Sequence, residues 1–163
     1  MIARVQGNAF GGGVGLISVC DIAIVAEQAR FALTEVKLGI IPATISPFVI
    51  ARIGQNHARH YMLTAQIFSA HRALEIGLAS YVCDEETLDS TLYEVTEAIL
   101  KTGPEAVAAT KSLIHTLSQT EADQHQHISI EALADTWERQ EASDGVDAFF
   151  AKTPPPWVKK DLP

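Results

Sequence analysis

The feature that most constrains this chain is a run of three glycines, Gly11-Gly12-Gly13, between two apolar stretches of different period. Upstream, Ile2-Ala3-Arg4-Val5-Gln6 alternates apolar and polar residues as a half-buried strand does, and Gly7-Asn8 interrupts it. Downstream, Val14 to Cys20 is apolar for long enough to make about two turns of buried helix. Strand, glycine turn and helix in that order place bare backbone N–H groups at a helix start. There the first donors lack an intrahelical acceptor and the macrodipole adds positive charge. Such a turn suits a phosphate, a carboxylate or a developing oxyanion, or it simply lets helix and strand pack closely.

Nucleotide readings fail at the next residues. Gly11-x-Gly13 is followed by Leu16 where a dinucleotide fingerprint needs glycine, and no lysine precedes Glu35 to complete a phosphate loop. Instead Asp21-Ile22-Ala23-Ile24-Val25-Ala26 reads as a second strand and Arg30-Phe31-Ala32-Leu33 as a shorter one. Glu35 then stands alone among apolar residues in Thr34-Glu35-Val36-Lys37-Leu38-Gly39-Ile40-Ile41-Pro42. A carboxyl in such surroundings suits general acid or base work. The other reading is an exposed turn residue paired with Lys37.

Further along, Ser46-Pro47 predicts a helix start with Ser46 as cap and Pro47 at the first helical position, ended by Gly54. A short helix follows over 56–64; its His57 and His60 could join a zinc site with a third ligand but read as a solvated face, since no acid or cysteine lies near. Ser69 caps a helix closed by Gly77, and 79–83 returns as a strand. Asp84, Glu85 and Glu86 open a long helix to Lys101 that carries Leu88, Leu92, Val95 and Ile99 on one face. Gly103-Pro104 breaks the chain before helices over 105–117, 121–140 and 144–152. His125 and His127, two apart on a helix, share no face and make no joint ligand pair. No metal site is expected.

The expected organisation is a β/α part, 1–83, and an all-helical part, 84–163. The 163 residues suffice for a real core, and an apolar fraction of 47% argues against disorder. The net charge of −8 argues against nucleic acid or an anionic membrane as partner. Cys20 and Cys83 read as small buried residues without a disulfide framework, and neither a signal peptide nor a membrane span is apparent, so a cytoplasmic protein is expected.

The order strand, Ala9-Phe10-Gly11-Gly12-Gly13, helix, Cys20-Asp21-Ile22, Ala29-Arg30-Phe31, Glu35 to Pro42 resembles the enoyl-CoA hydratase/isomerase family, the crotonases. The likeness continues through Ile53-Gly54, Leu63-Thr64-Ala65, 73–79 and Ser143 to Phe150, and so covers nearly the whole chain. The fold it implies is α/β, a partial crotonase ββα superhelix core followed by an all-helical C-terminal region. It gives Gly12 one backbone N–H of an oxyanion hole for an acyl-CoA thioester and Glu35 the acid/base role. Gly11, Gly13 and Pro42 would touch substrate. Coenzyme A would come as part of the substrate, with no further cofactor.

Many hydratases of the family carry a second glutamate three residues beyond the middle glycine, where this chain has Gly15. Hydration of an enoyl-CoA is the expected reaction; double-bond isomerisation by Glu35 alone is the alternative. The family's other oxyanion donor comes from a region preceding the part that Met1 begins, so half of that hole is expected to be absent and a non-catalytic assembly piece is the further alternative. The run 35–47 is similar to bacterial members assigned to methylglutaconyl-CoA or geranyl-type acyl-CoA hydration. The resemblance also implies trimers or paired trimers built by the C-terminal helices, with Phe149, Phe150 and Lys152 near the CoA nucleotide.

Overall fold

Residues Ile2–Val5 form strand β1 and Ala9–Phe10 form β2, separated by the Gly7-Asn8 break expected from the sequence. Helix α1, Gly12–Ser18, begins two residues earlier than the apolar run suggested, because Gly12 and Gly13 make its first turn and Gly11 caps it at φ 51°. Close packing explains the early start: a Cβ on Gly13 would lie 3.2 Å from that of Ala9. Strands β3, Ile22–Ala26, and β4, Arg30–Ala32, follow. The computed structural model describes residues 1–158, in two compact units, Met1–Glu94 and the described residues from Val95 onward.

The first unit holds two small sheets. After β4 come α2, Ser46–Thr64, β5, Phe68–Ser69, α3, Ala70–Glu75, and β6, Tyr81–Cys83. One sheet has the order β1-β3-β6, all parallel, and the other β2-β4-β5, with β2 and β4 parallel. Central β3 is nearly continuous in apolar residues, as a strand covered on both faces must be, and Ala23 to Ala26 are fully buried. Phe31 of β4 stacks on Phe68 of β5 with centroids 5.6 Å apart, and Tyr61 of α2 packs on Phe68 at 4.2 Å.

Two details of α2 differ from expectation. Ser46 is its first helical residue rather than its cap, and Ile45 takes the cap position. The Ser46 hydroxyl donates to the Pro42 carbonyl at 2.7 Å, so a turn over 42–45 leads into the helix and uses the oxygen that a cap would have offered. At Gly54 the backbone leaves helical geometry (φ 77°), which is the expected break. From just before that break Arg52 reaches back: Nη1 donates to the carbonyls of Cys20 (3.0 Å) and Asp21 (3.3 Å), and Nη2 to that of Leu78 (3.2 Å). The end of α1 and the approach to β6 are thereby tied to one guanidinium.

Ser69 caps α3 as expected, its hydroxyl accepting from Arg72 N–H at 3.2 Å. The acids at 84–86 do not open the next helix directly. A 3-10 turn, Glu85–Thr87, precedes α4, Leu88–Leu100, in which Leu88 and Val95 are buried but Ile99 is 39% exposed. Arg4 of β1 bonds Asp89 of α4 at 2.6 Å. That hydrogen bond holds the Asp89 carboxyl below its ordinary range, so the pair's contribution is full at neutral pH and is lost in acid as Asp89 protonates. Cys20 is buried as expected; Cys83 is only half-buried, and both thiols are free.

In the second unit the helices are α5, Pro104–Leu117, α6, His125–Trp137, and α7, Gln140–Ala151. The single helix expected over 121–140 is shorter, because Arg139 turns extended (φ −78°, ψ 151°) and α7 starts at Gln140 rather than Asp144. That early start places Glu141 across the beginning of α5, where its carboxylate accepts from Glu105 N–H (3.0 Å) and Ala106 N–H (2.8 Å). Gly103 leaves room for it, since a Cβ there would stand 2.5 Å from Glu141 Oε1. A side chain distant in sequence thus does the work of an N-cap. Glu141→Ala is expected to cost about 1–2 kcal/mol of stability; a denaturant midpoint equal to wild type would show that the cap contributes nothing.

Candidate active site

Parallel strands leave a sheet at the same edge, and this brings the glycine turn and Glu35 together. Ala9 pairs with Phe31 and Phe10 with Ala32, so the residues after β2 (Gly11 onward) and after β4 (Leu33 to Glu35) emerge side by side. Gly11 N–H closes the junction with a 2.9 Å bond to the Ala32 carbonyl. Glu35 opens a 3-10 turn, Glu35–Leu38, that Gly39 ends in the left-handed region at φ 73°. Its side chain lies back over Gly11: a Cβ there would be 3.1 Å from Glu35 Oε1. Any residue but glycine at 11 would meet both a positive φ and that carboxylate.

The carboxylate is half-buried, and its Oε2 is enclosed without a hydrogen-bond partner. Among the described residues no ion pair joins Glu35 to Lys37, so the exposed-turn reading of Glu35 does not describe the fold. Gly12 faces open space, with nothing within 4 Å of where its Cβ would be. Among the described residues neither Gly12 nor Gly13 N–H has a backbone acceptor. A buried, unpaired carboxylate oxygen is costly; beside it lies a turn whose free donors can receive negative charge.

The other residues singled out from sequence fall into place differently. Gly13 packs on Ala9. Pro42 acts through its carbonyl, which accepts from Ile45 N–H, Ser46 N–H and the Ser46 hydroxyl and so shapes the entry to α2. His60 bonds Gln66 at 3.1 Å, while His125 and His127 take separate partners, the Thr120 carbonyl and Glu131. One participant was not legible in the sequence. Ile45 sits on Gly15, its Cγ2 nearest of all and its Cβ 2.8 Å from where a Cβ at 15 would stand. The available signal was a glycine inside an otherwise apolar helix, which marks close approach by another element.

Against the models of protein families, residues 1–160 match that of enoyl-CoA hydratase/isomerase. The chain belongs to this family. Its enoyl-CoA hydratase/isomerase fold is that of the crotonases: a Legionella pneumophila enoyl-CoA hydratase/isomerase (crotonase) structure superposes with TM-score 0.88 at 38% identity, over 96% of this chain and 61% of that one. An enoyl-CoA hydratase from Shewanella pealeana gives TM-score 0.89 at 41% identity, covering 96% and 58%. The short-chain-enoyl-CoA hydratase of Clostridium acetobutylicum is 33% identical over 153 residues, 93% of this chain and 59% of the relative. The chain thus spans about three-fifths of the length of these relatives. No helix among the described residues is long and apolar enough to cross a membrane.

Proposed function

We propose that this chain hydrates the double bond of an enoyl-CoA thioester, with Glu35 as acid/base and Gly12 N–H as an oxyanion donor. The observation that carries the reading is the Glu35 carboxylate lying against the Gly11 turn, one oxygen buried and unpartnered, beside the free Gly12 donor. In this reading Glu35 takes a proton from water as the water oxygen bonds the β-carbon. The electron pair of the double bond moves towards the thioester, and the enolate oxygen is held by Gly12 N–H. Glu35 then returns the proton to the α-carbon, which completes the addition of one water and restores the carboxylate. Backbone donors aimed at developing charge lower such a barrier by several kcal/mol.

Isomerisation is the second reading, favoured by the hydrocarbon side chain of Ile45 over Gly15 where many hydratases place a second glutamate. One carboxyl suffices to take a proton from one carbon and return it to another. Turnover of crotonyl-CoA and of a 3-enoyl-CoA in ¹⁸O-labelled water separates the two. Hydration puts label into the 3-hydroxyacyl product; isomerisation moves the double bond without label. Loss of neither substrate would sink both readings.

We place the protein in the cytoplasm, a setting supported by the free thiols of Cys20 and Cys83. Oligomerisation through the helical region, 84–163, is supported by its exposed Trp137, Phe149 and Phe150, which are 68%, 78% and 77% accessible. They lie along an apolar groove of about 440 Å³ within the second unit.

A further inference from the structure

Two side chains from one segment, 35–45, lie over one strip of α1. Glu35 covers Gly11, and a turn further along Ile45 covers Gly15, whose N–H donates to the Gly11 carbonyl at 3.2 Å. Neither glycine could carry a side chain without displacing its cover. Position 12, open to solvent, is three residues from 15 and shares that side of the helix at roughly 5–6 Å. The backbone of Ile45 is held on both sides. It is branched at Cβ and caps α2, with its N–H bonded to the Pro42 carbonyl at 3.2 Å and its carbonyl to Val49 N–H at 3.0 Å.

We infer that Ile45 is a specificity-determining residue of this site: seated on Gly15, it takes the place beside the glycine turn that a side chain on α1 would hold. The consequence rests on the hydration reading above. The side chain that covers Gly15 is hydrocarbon, and Glu35 carries both proton transfers without a second carboxyl on α1 to hold the attacking water. The site then suits acyl groups whose first carbons are apolar and bear no polar substituent needing a partner at that wall.

The test uses the whole chain with Gly15→Glu, Ile45→Gly and both together, and with Gly15→Gln/Ile45→Gly as the uncharged control. Glycine at 45 is the necessary relief, because the Cβ of Ile45 is itself within 2.8 Å of the new Cβ, and glycine is tolerated at a helix cap. Gly15→Glu alone is expected to lower Tm by roughly 5–10 °C, and Ile45→Gly to recover most of that loss. On crotonyl-CoA the Gly15→Glu/Ile45→Gly double variant is expected to exceed the glutamine control in kcat by about tenfold, with KM unchanged.

Gly15→Glu as stable as wild type would overturn the assignment, because position 15 would not be closed. Equal kcat for the stable glutamate and glutamine double variants would overturn it too, because position 15 would not address the reacting carbons. A wild type silent on crotonyl-CoA would instead count against hydration, and the Tm coupling between 15 and 45 would then decide the place of Ile45 by itself.

Discussion

Glu35→Gln is expected to lower kcat for crotonyl-CoA hydration by about 10²–10⁴-fold while KM stays near the wild-type value. The substitution keeps the shape and half-burial of the side chain and its approach to Gly11, where a Cβ would lie 3.1 Å from Oε1. It removes the ability to accept and return a proton. Stability should hold or rise slightly, because the carboxylate oxygen now enclosed without a partner is replaced by a neutral amide. Steady-state kinetics with a thermal melt of the same preparation make the check. Full turnover in the variant would remove Glu35 from the chemistry, whereas loss of turnover with a collapsed melt would point to packing.

Arg52→Met is expected to cost about 3 kcal/mol. Its guanidinium donates to the carbonyls of Cys20, Asp21 and Leu78. Methionine fills much of the same volume, so the loss reports on carbonyls deprived of their charged donor rather than on a cavity. Arg52→Lys should recover only part of it, since an ammonium on a flexible stem cannot serve as a planar fork. Urea unfolding measures both. A midpoint unchanged in Arg52→Met would mean that water replaces the clamp at no cost. The same clamp fixes the end of α1 whose start carries the Gly12 donor, so the variant should also lower kcat.

Much of the first unit was legible locally. Alternating and continuous apolar runs marked β1 and β3, and the glycine triplet marked a strand-to-helix turn. Ser69 and Gly77 bounded α3 because caps and left-handed glycines are short-range devices. Glu35 stood out as a lone carboxyl among apolar neighbours, but sequence alone left it either buried or exposed beside Lys37. The boundaries that moved did so for tertiary reasons. Ser46 lost its cap role to the turn at Pro42, and α7 began early where Glu141 reaches the N–H groups of α5.

What the sequence by itself determined is the order of elements and the chemical alphabet of the site: a glycine turn with free donors and one acid downstream. Backbone periodicity and glycine's freedom at positive φ are local properties and can be read residue by residue. Only the tertiary structure decided that the parallel pairing of β2 with β4 would set Glu35 over Gly11. It likewise decided that Ile45 would fill the space above Gly15 and that one arginine would hold three carbonyls from two distant segments. These depend on the close packing of segments distant along the chain, where tenths of an ångström decide what fits, and no period in the sequence encodes such distances.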